Sequence, residues 1–414
     1  MRSTIQTADT SLAVVGGRVV TPDAVIDGGV RIAGEQIAAV GDIDADTDTV
    51  TDADTDTVTD ANTDIVTDAG TDIVIDADGR LVLPGLVDIH GDDIEGHLYP
   101  RSGARMKTKM ALASADRANV AAGITTKFHA ISLELDEEAN RSPQLAATLT
   151  DAITNTSDLL VDHRLHARCE VTQKRCVEAV IDVIDNGDTD LVSVMSHVPG
   201  KGQFRDTEAF REYYESANDR TVEEAEEIIE ERVAIPMATL RERVERVVDH
   251  AHDAGVVTAS HDDENPKEVE SVAESGVDIA EYPITVETAK RAAEIGMTTA
   301  MGAPNLVRGE SQWGNLSTAD GIDAGVVDAL VADYHPPSLL AGVFVDTGEP
   351  LHERVKRASA TPAEAVGFSE RGRIEADKRA DLIVVDPEPT PTVTAAVVAG
   401  RPVYRADATQ EGGR

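Results

Sequence analysis

Histidine and carboxylate side chains follow several apolar segments of this sequence, in a pattern that suits the binding of divalent metal ions. His90 and Asp92 come at the end of the apolar run LPGLVDI, and alternate residues of a strand share one face. Other groups of the same kind each end a different apolar segment: Glu170, His197, His261 and Asp333. Because imidazole nitrogens and carboxylate oxygens are common ligands of divalent cations, the pattern predicts metal-dependent chemistry.

The candidate ligands suit a centre that holds two metal ions. One ion would be bound by His90 and Asp92. The other would be bound by His197 and His261, with Glu170 as a bridge whose negative charge keeps two dications close together.

Asp333 is the candidate catalytic residue. A divalent metal lowers the pKa of bound water to roughly 7, and Asp333 would hydrogen-bond this water and accept its proton. Lys127 is an alternative bridging group if it carries a carbamate, and His129, on the same face, could support the ligands or simply pack.

The elements that would bring these groups together alternate between strand-like and helix-like segments. From residue 84 to residue 364 this alternation is continuous, and the polar groups collect where the strand-like segments end. A parallel (β/α)8 TIM-like barrel explains the pattern best, because its active site is built from the loops at the carboxyl ends of its strands.

The remaining sequence predicts a small β domain built by both termini. Residues 1–83 contain short β-branched segments separated by turns, and residues 365–414 return to such segments, so we expect a small β-sandwich. Residues 43–74 interrupt it with an acidic eight-residue repeat such as TDADTDTV. Calcium-binding repeats carry glycines in every unit and this one does not, which favours a solvated acidic insertion.

Composition restricts the function classes. The 414 residues include 77 Asp and Glu against 37 Lys and Arg, a formal net charge of −40, which argues against binding to nucleic acid or to anionic membranes. The acidic surplus is spread along the chain, as expected for a hydrated surface in a salt-rich cytoplasm. The two cysteines, Cys169 and Cys176, make no disulfide scaffold, and no apolar run reaches the ~18 residues of a membrane span. We therefore expect a cytoplasmic protein.

Several longer motifs carry a family resemblance. In chain order they include LPGLVDIHGDDIEGHLYPR, GITTKFHAI, HRLHARCE, SHVPGKGQF, ASHDD, AEYPIT, MGAPNLVRG and ADYHPPSLL. With these motifs the chain resembles the amidohydrolase superfamily of metallo-dependent hydrolases, and within it the diphosphatases of the carbon–phosphorus lyase pathway. It departs from their pattern at Gly91, Asp93, His129 and Ser196, where those proteins have Thr, Asn, Asp and Asp.

The resemblance implies a reaction, cofactors and partners. The reaction is hydrolysis of α-D-ribose 1-methylphosphonate 5-triphosphate to the 5-phosphate and pyrophosphate. The cofactors are two divalent metal ions, expected to be zinc, and the partners are a phosphorylated small molecule and other enzymes of that pathway. The sequence leaves open whether the chain forms a homo-oligomer.

A triphosphate requires local positive charge in so acidic a protein. We expect the substrate to be bound by basic and amide groups in loops that follow barrel strands: Arg101, Arg105, Lys201, Arg205, Asn305 and Arg308. Pairing with surface acids is the alternative for each cation. Asn315 could orient the substrate and Trp313 could stack on it, although Asn315 also suits a turn.

Two other functions remain possible from the sequence. The same barrel could hydrolyse carbon–nitrogen bonds, as a cyclic amide hydrolase or a sugar deacetylase does, and the basic loop residues favour phosphates over these substrates. The Asp-rich repeats also allow a non-catalytic protein that binds calcium, which deletion of residues 43–74 would test.

Overall fold

The structure is a computed structural model that describes residues 11–43, 71–101, 103–136, 141–198, 222–311 and 314–406. Most of the acidic repeat, together with Lys201, Arg205 and Trp313, lies outside these residues.

The described residues alternate between strands and helices as the sequence predicts. The strands are β1 (Ser11–Val20), β2 (Val25–Ala33), β3 (Gln36–Gly41), β4 (Ile73–Asp76), β5 (Leu81–Pro84), β6 (Leu86–Gly91), β7 (Ile124–Ser132), β8 (Asp162–Glu170), β9 (Leu191–Met195), β10 (Val257–His261), β11 (Ile279–Glu281), β12 (Thr298–Gly302), β13 (Ala329–Val331), β14 (Leu382–Asp386), β15 (Thr392–Val398) and β16 (Arg401–Arg405). The helices are α1 (Ile94–Leu98), α2 (Thr108–Ala121), α3 (Pro143–Asn155), α4 (Lys174–Asp185), α5 (Val222–Val233), α6 (Met237–Asp253), α7 (Pro266–Glu274), α8 (Val286–Glu294), α9 (Ala303–Arg308), α10 (Thr318–Asp323), α11 (Pro337–Phe344), α12 (Leu351–Lys356) and α13 (Ala360–Ala365).

Strands from both ends of the chain form one mixed sheet. Its order is β16-β15-β14-β5-β1-β2-β3, with β4 parallel to β1. The two ends of the chain meet where β14 runs antiparallel to β5 and pairs Leu382 with Pro84. Apolar side chains such as Leu12, Ile32 and Val384 give the sheet its own core. The prediction that both termini build a β structure apart from the barrel is thereby confirmed, and its strands form one mixed sheet.

Strands β6 to β13 form the parallel barrel that the sequence predicts. They are hydrogen-bonded in chain order, and the barrel closes where the Asp333 backbone N–H donates to the His90 carbonyl at 2.9 Å. The Asp92 N–H returns a bond of 3.1 Å to the Asp333 carbonyl. Inward apolar residues such as Ile89 and Phe128 fill the interior. Closure therefore brings Asp333 next to His90 and Asp92, so that candidate site residues from the two ends of the barrel sequence lie together.

Helices cover the outer face of the barrel. Apolar residues of α2, α3 and α4 pack against outward residues of β8, such as Leu165 and Ala167, and bury a second large core. Cys169 and Cys176 are free and buried in it, as expected. Within the described ranges, no helix has both the length and the apolar character needed to cross a bilayer.

Candidate metal and substrate site

A polar cavity of about 300 Å³ opens at the carboxyl ends of the barrel strands. Seven of the residues predicted from the sequence contribute to its lining: His90, Asp92, His197, His261, Asn305, Asn315 and Asp333. Their chain positions are far apart, so parallel strands that end at one rim of the barrel are what bring them together.

The innermost group consists of His90, His261 and Glu281. One ligand atom from each residue lies within 4.8 Å of the other two. His90 Nδ1 is 3.0 Å from Glu281 Oε1, and His261 Nδ1 is 3.5 Å from Glu281 Oε2. The two imidazoles are stacked, with ring centroids 5.2 Å apart. Two imidazoles and one carboxylate in such proximity form a donor set that suits a divalent cation.

Buried atoms that lack hydrogen-bond partners support this interpretation. His90 Nδ1 and Glu281 Oε1 make no hydrogen bond to the described residues despite their short separation, and neither does His166 Nε2. The His166 ring meets the His90 ring edge-on, with centroids 4.9 Å apart. Since buried polar groups are nearly always paired, unpaired donors and acceptors that converge on one place indicate a binding site for a ligand. The residues present therefore fit a metal ion.

Glu281 is a site residue that the sequence reasoning missed. It ends the short strand β11 in the segment VDIAEYP, and its side chain is fully buried. The sequence does contain a pattern that could identify Glu281, because Glu281 follows an apolar segment in the same way as Glu170 does. The expected pairing of ligands also differs from the observed one, since His261 lies with His90 and not with His197.

Glu170, which is buried, and His197, which is partly buried, form a separate pair next to this group. His197 Nδ1 lies 2.7 Å from Glu170 Oε2, and the other carboxylate oxygen accepts a hydrogen bond of 2.5 Å from the Thr172 hydroxyl. Burial by itself would raise the pKa of Glu170, but these hydrogen bonds and the His197 charge lower it to about 2. Both carboxylate oxygens of Glu170 are thus occupied by protein donors, whereas those of Glu281 lie between two imidazoles.

Three acidic residues surround the cavity in a desolvated setting. Burial, together with the neighbouring carboxylate of Asp92, raises the pKa of Asp333 to about 7. Burial also raises the pKa of Asp92 and raises that of Asp262 to about 6, in each case opposed by Arg168. A carboxylate whose pKa lies near neutrality is suited to proton transfer, which agrees with the role expected of Asp333.

The backbone is unusual at the same strand ends. Asp262, Tyr282 and Asp333 have positive φ angles of 60°, 54° and 55°, which are uncommon for residues other than glycine. Each of their backbone N–H groups donates to a carbonyl of the adjacent strand or its end, as Tyr282 does to Ala300 at 2.9 Å. Such conformations cluster at functional sites because the surrounding structure must maintain them.

Lys127, the alternative bridging group, is held in a buried ion cluster on the outer side of the barrel wall. Its Nζ lies 2.6 Å from Asp88 and 2.6 Å from Asp93. Burial would lower the pKa of Lys127, but these carboxylates raise it above its usual value. Asp88 also accepts the backbone N–H of Ala332 at 2.9 Å, so the cluster ties β6 to the segment that ends in Asp333.

His129, considered as a supporting group, lies in the same layer between the strands and α2. Its Nε2 is 2.8 Å from His163 Nδ1, and His163 Nε2 is in turn 3.0 Å from Asp116 of α2. His129 therefore stabilises the barrel wall and does not line the cavity.

The predicted substrate-binding residues fall into three groups. Asn305 lines the cavity, and Arg308 lies on the surface, where it pairs with Glu310 at 3.3 Å and hydrogen-bonds Tyr334 of the lining. Arg101 and Arg105 are exposed and lie outside the lining. Lys201 and Arg205 belong to the undescribed segment. The guanidinium groups that do line the cavity are those of Arg141 and Arg168.

Comparison with known proteins agrees with this fold and site. No protein-family model matches the chain. The chain is 32% identical to the α-D-ribose 1-methylphosphonate 5-triphosphate diphosphatase of Escherichia coli (strain K12) over 315 residues, which cover 74% of this chain and 83% of that protein.

Several solved structures share the fold at low sequence identity. An amidohydrolase from an environmental sample of the Sargasso Sea has a TM-score of 0.62 at 13% identity and covers 97% of this chain and 95% of its own. The N-acetylglucosamine-6-phosphate deacetylase of Pasteurella multocida has a TM-score of 0.59 at 13% identity, with 95% and 99% covered. The dihydropyrimidinase of Brevibacillus agri NCHU1002 has a TM-score of 0.55 at 14% identity, with 95% of both chains covered.

The barrel, with histidine and carboxylate side chains collected at its strand ends, has the fold of these solved structures, an amidohydrolase among them. By its similarity to the Escherichia coli protein, the chain belongs to the family of the α-D-ribose 1-methylphosphonate 5-triphosphate diphosphatases.

Proposed function

We propose that the protein hydrolyses α-D-ribose 1-methylphosphonate 5-triphosphate to α-D-ribose 1-methylphosphonate 5-phosphate and pyrophosphate. One water molecule is consumed, and one phosphoric anhydride bond is broken. The observation that carries the proposal is the convergence of His90, His261 and Glu281 on one buried point beside a cavity lined by Asp333. The similarity to the Escherichia coli diphosphatase supports this choice of substrate and, with it, a role in phosphonate utilisation.

The residues present fit a divalent metal centre. His90, His261 and Glu281 would hold one ion, and we keep the expectation of a second ion, with zinc as the metal and Asp92, Glu170 and His197 as the further candidate ligands. A divalent cation supplies charge neutralisation at phosphate oxygens and lowers the pKa of water.

The protein's own groups bind, orient and transfer a proton. Asp333 is placed by two backbone hydrogen bonds to β6 and its following residue, and its raised pKa suits acceptance of a proton near neutral pH. Asn305 and the Tyr282 hydroxyl, which has no hydrogen-bond partner among the described residues, face the cavity and can orient phosphate oxygens. Phosphoryl transfer needs such positioning and charge neutralisation more than covalent participation by the protein.

A product assay on purified, metal-loaded protein tests the proposal. The triphosphate, dihydrouracil and N-acetylglucosamine 6-phosphate would be offered separately in high salt, and pyrophosphate, ring opening and acetate would be measured. We expect pyrophosphate to be released from the triphosphate, and we expect no turnover of dihydrouracil or N-acetylglucosamine 6-phosphate. Turnover of either amide without turnover of the triphosphate would show that the proposal is wrong and that the protein hydrolyses carbon–nitrogen bonds, the alternative that the fold permits.

Variants separate chemistry from folding. Asp333→Asn and His261→Ala should lose pyrophosphate release while retaining the circular dichroism spectrum of the parent. Asp253→Asn and His250→Ala provide matched controls, because both residues lie on the exposed side of α6 away from the cavity. Full activity in either site variant would refute the assigned roles.

A further inference from the structure

Arg168 is a buried cation inside the cavity that the proposed reaction has not yet used. It lies on β8, on the same face as His166 and Glu170, and its side chain is 9% exposed. The nearest carboxylate contact is long, at 4.0 Å from Nη1 to Asp92 Oδ2. Nη2 contacts the sulfur of Met195 at 3.6 Å, and Nε has no hydrogen-bond partner in the part of the chain that the structure describes.

Arg141, the other arginine of the lining, provides the contrast. Its Nε and Nη2 bind the two oxygens of Glu95 at 3.0 Å each, and its Nη1 binds Glu134 at 3.0 Å. Arg141 is thus fully neutralised by protein carboxylates and holds α1 to the loop after β7. Arg168 has kept most of its donors available although it is more deeply buried.

A buried guanidinium with few partners is costly unless a ligand completes its surroundings. The charge of Arg168 acts on the whole cavity, since it opposes the raised pKa of Asp92, Asp262 and Asp333. An ion pair with Asp92 alone would be expected at about 2.7–2.9 Å, well below the observed distance. The free donors of Arg168 therefore suit an anion that enters the cavity.

We propose that Arg168 binds a phosphate group of the substrate directly and selects for polyphosphate over neutral substrates. The inference rests on the proposed function and adds the residue that recognises the anion. A planar guanidinium presents paired N–H donors that match two oxygens of one phosphate, which an ammonium group cannot do. Arg168 also explains how so acidic a protein could bind a triphosphate, because its positive charge lies inside the cavity and not only on the surrounding loops.

Binding of inorganic pyrophosphate to the metal-loaded protein tests the inference without requiring turnover. Isothermal titration calorimetry at fixed ionic strength would compare the parent with Arg168→Gln, Arg168→Lys and Arg291→Gln. Metal content would be measured before and after titration, so that removal of the metal by pyrophosphate is separated from binding. Arg291, an exposed arginine of α8 that pairs with Glu270 and Glu294, is the matched control.

We expect Arg168→Gln to weaken pyrophosphate binding by about tenfold or more, because charge-assisted hydrogen bonds are lost. Arg168→Lys keeps the charge but loses the paired donors, so its affinity for pyrophosphate should lie between those of the parent and Arg168→Gln. Arg291→Gln should bind pyrophosphate as the parent does. With the triphosphate as substrate, the KM should rise more than kcat falls. Parental affinity in Arg168→Gln, or no binding of pyrophosphate by the parent, would overturn the inference.

The outcomes also separate this inference from the proposed function. If the parent binds pyrophosphate through Arg168 but does not hydrolyse the triphosphate, the phosphate site stands and the reaction is wrong. If the parent hydrolyses the triphosphate while Arg168→Gln keeps the parental KM, the reaction stands and the role of Arg168 is wrong. Should Arg168→Gln fail to fold, the charge-conserving Arg168→Lys still decides the question, because parental affinity there would exclude recognition by paired donors.

Discussion

His90 and Glu281 lie on barrel strands that are not neighbours, yet His90 Nδ1 is 3.0 Å from Glu281 Oε1 and neither atom makes a hydrogen bond within the described residues. Both atoms are buried, and His261 approaches the second oxygen of the same carboxylate. Three donors from three strands thus face one point in the barrel.

Glu281→Gln should weaken metal binding. The substitution keeps the size of the side chain but removes the negative charge that offsets a dication between His90 and His261. We expect the affinity for zinc to fall by at least about tenfold, because removing even a group that only hydrogen-bonds a metal ligand has an effect of that size. Competition with a chelator followed by elemental analysis measures it. Glu294→Gln, at the exposed end of α8, is the control, and equal zinc retention in the two variants would contradict the assignment.

Gly91→Ala should destabilise the barrel. A Cβ at Gly91 would lie 1.8 Å from Lys127 Nζ and 2.5 Å from Asp88 Oδ2, so the substitution forces apart the ion pair that joins β6 to β7. We expect a loss of about 2 kcal/mol or more in the free energy of unfolding. Urea denaturation compares it with Gly96→Ala, which would place a Cβ in open space on α1. Equal stability of the two variants would show that the cluster is easily rearranged.

Asp162→Asn should reduce stability in a manner that depends on pH. Asp162 pairs with Arg164 at 3.1 Å and with Arg371 at 2.7 Å. Burial would raise the pKa of Asp162, but these arginines lower it below its ordinary value. The pair therefore stabilises the fold above the unfolded pKa of about 3.9 and loses this contribution as the pH falls through the folded pKa.

The loss at pH 7 should be on the order of 1 to 3 kcal/mol, and it should shrink as the pH falls below about 4. Chemical denaturation of the parent and the variant at several pH values measures the difference. Asp151→Asn, at an exposed position of α3, should show no such trend. A difference that stays constant with pH would mean that the loss does not arise from the charge of Asp162.

Potassium chloride should stabilise the protein. The net charge of −40 repels itself in the folded state, and salt shortens the range of this repulsion to about 3 Å at 1 M. The thermal unfolding midpoint should therefore rise from low to multimolar KCl. A midpoint that does not change with salt would exclude adaptation to a salt-rich cytoplasm.

Much of the fold follows from the sequence because its signals are local. Apolar runs such as LVSVM and VTASH mark strands, and their alternation with helices is enough to predict the barrel and to place His197 and His261 at one rim. The small sheet was predictable for the same reason, since Gly and Pro turns separate its β-branched segments. Local signals therefore identify which residues reach the site.

The grouping of those residues depends on features that are not local. His261 lies with His90 because of the order of strands around the closed barrel and the reach of each side chain, and Glu281 enters from a strand of only three residues. The sequence predicts that loop cations bind the substrate, but Arg101 and Arg105 are exposed and lie outside the cavity lining. Arg168 instead lies within strand β8, at a position that faces the interior of the barrel. An apolar residue is ordinarily expected at such a position.

The most direct test of the account is product analysis of the metal-loaded protein with α-D-ribose 1-methylphosphonate 5-triphosphate in water labelled with oxygen-18. Phosphorus NMR would count the products and place the label. The account predicts pyrophosphate and the 5-phosphate in equal amounts, with label in one of the two, and none of this with Asp333→Asn. Stepwise release of orthophosphate, or no turnover by protein with a full complement of metal, would contradict it.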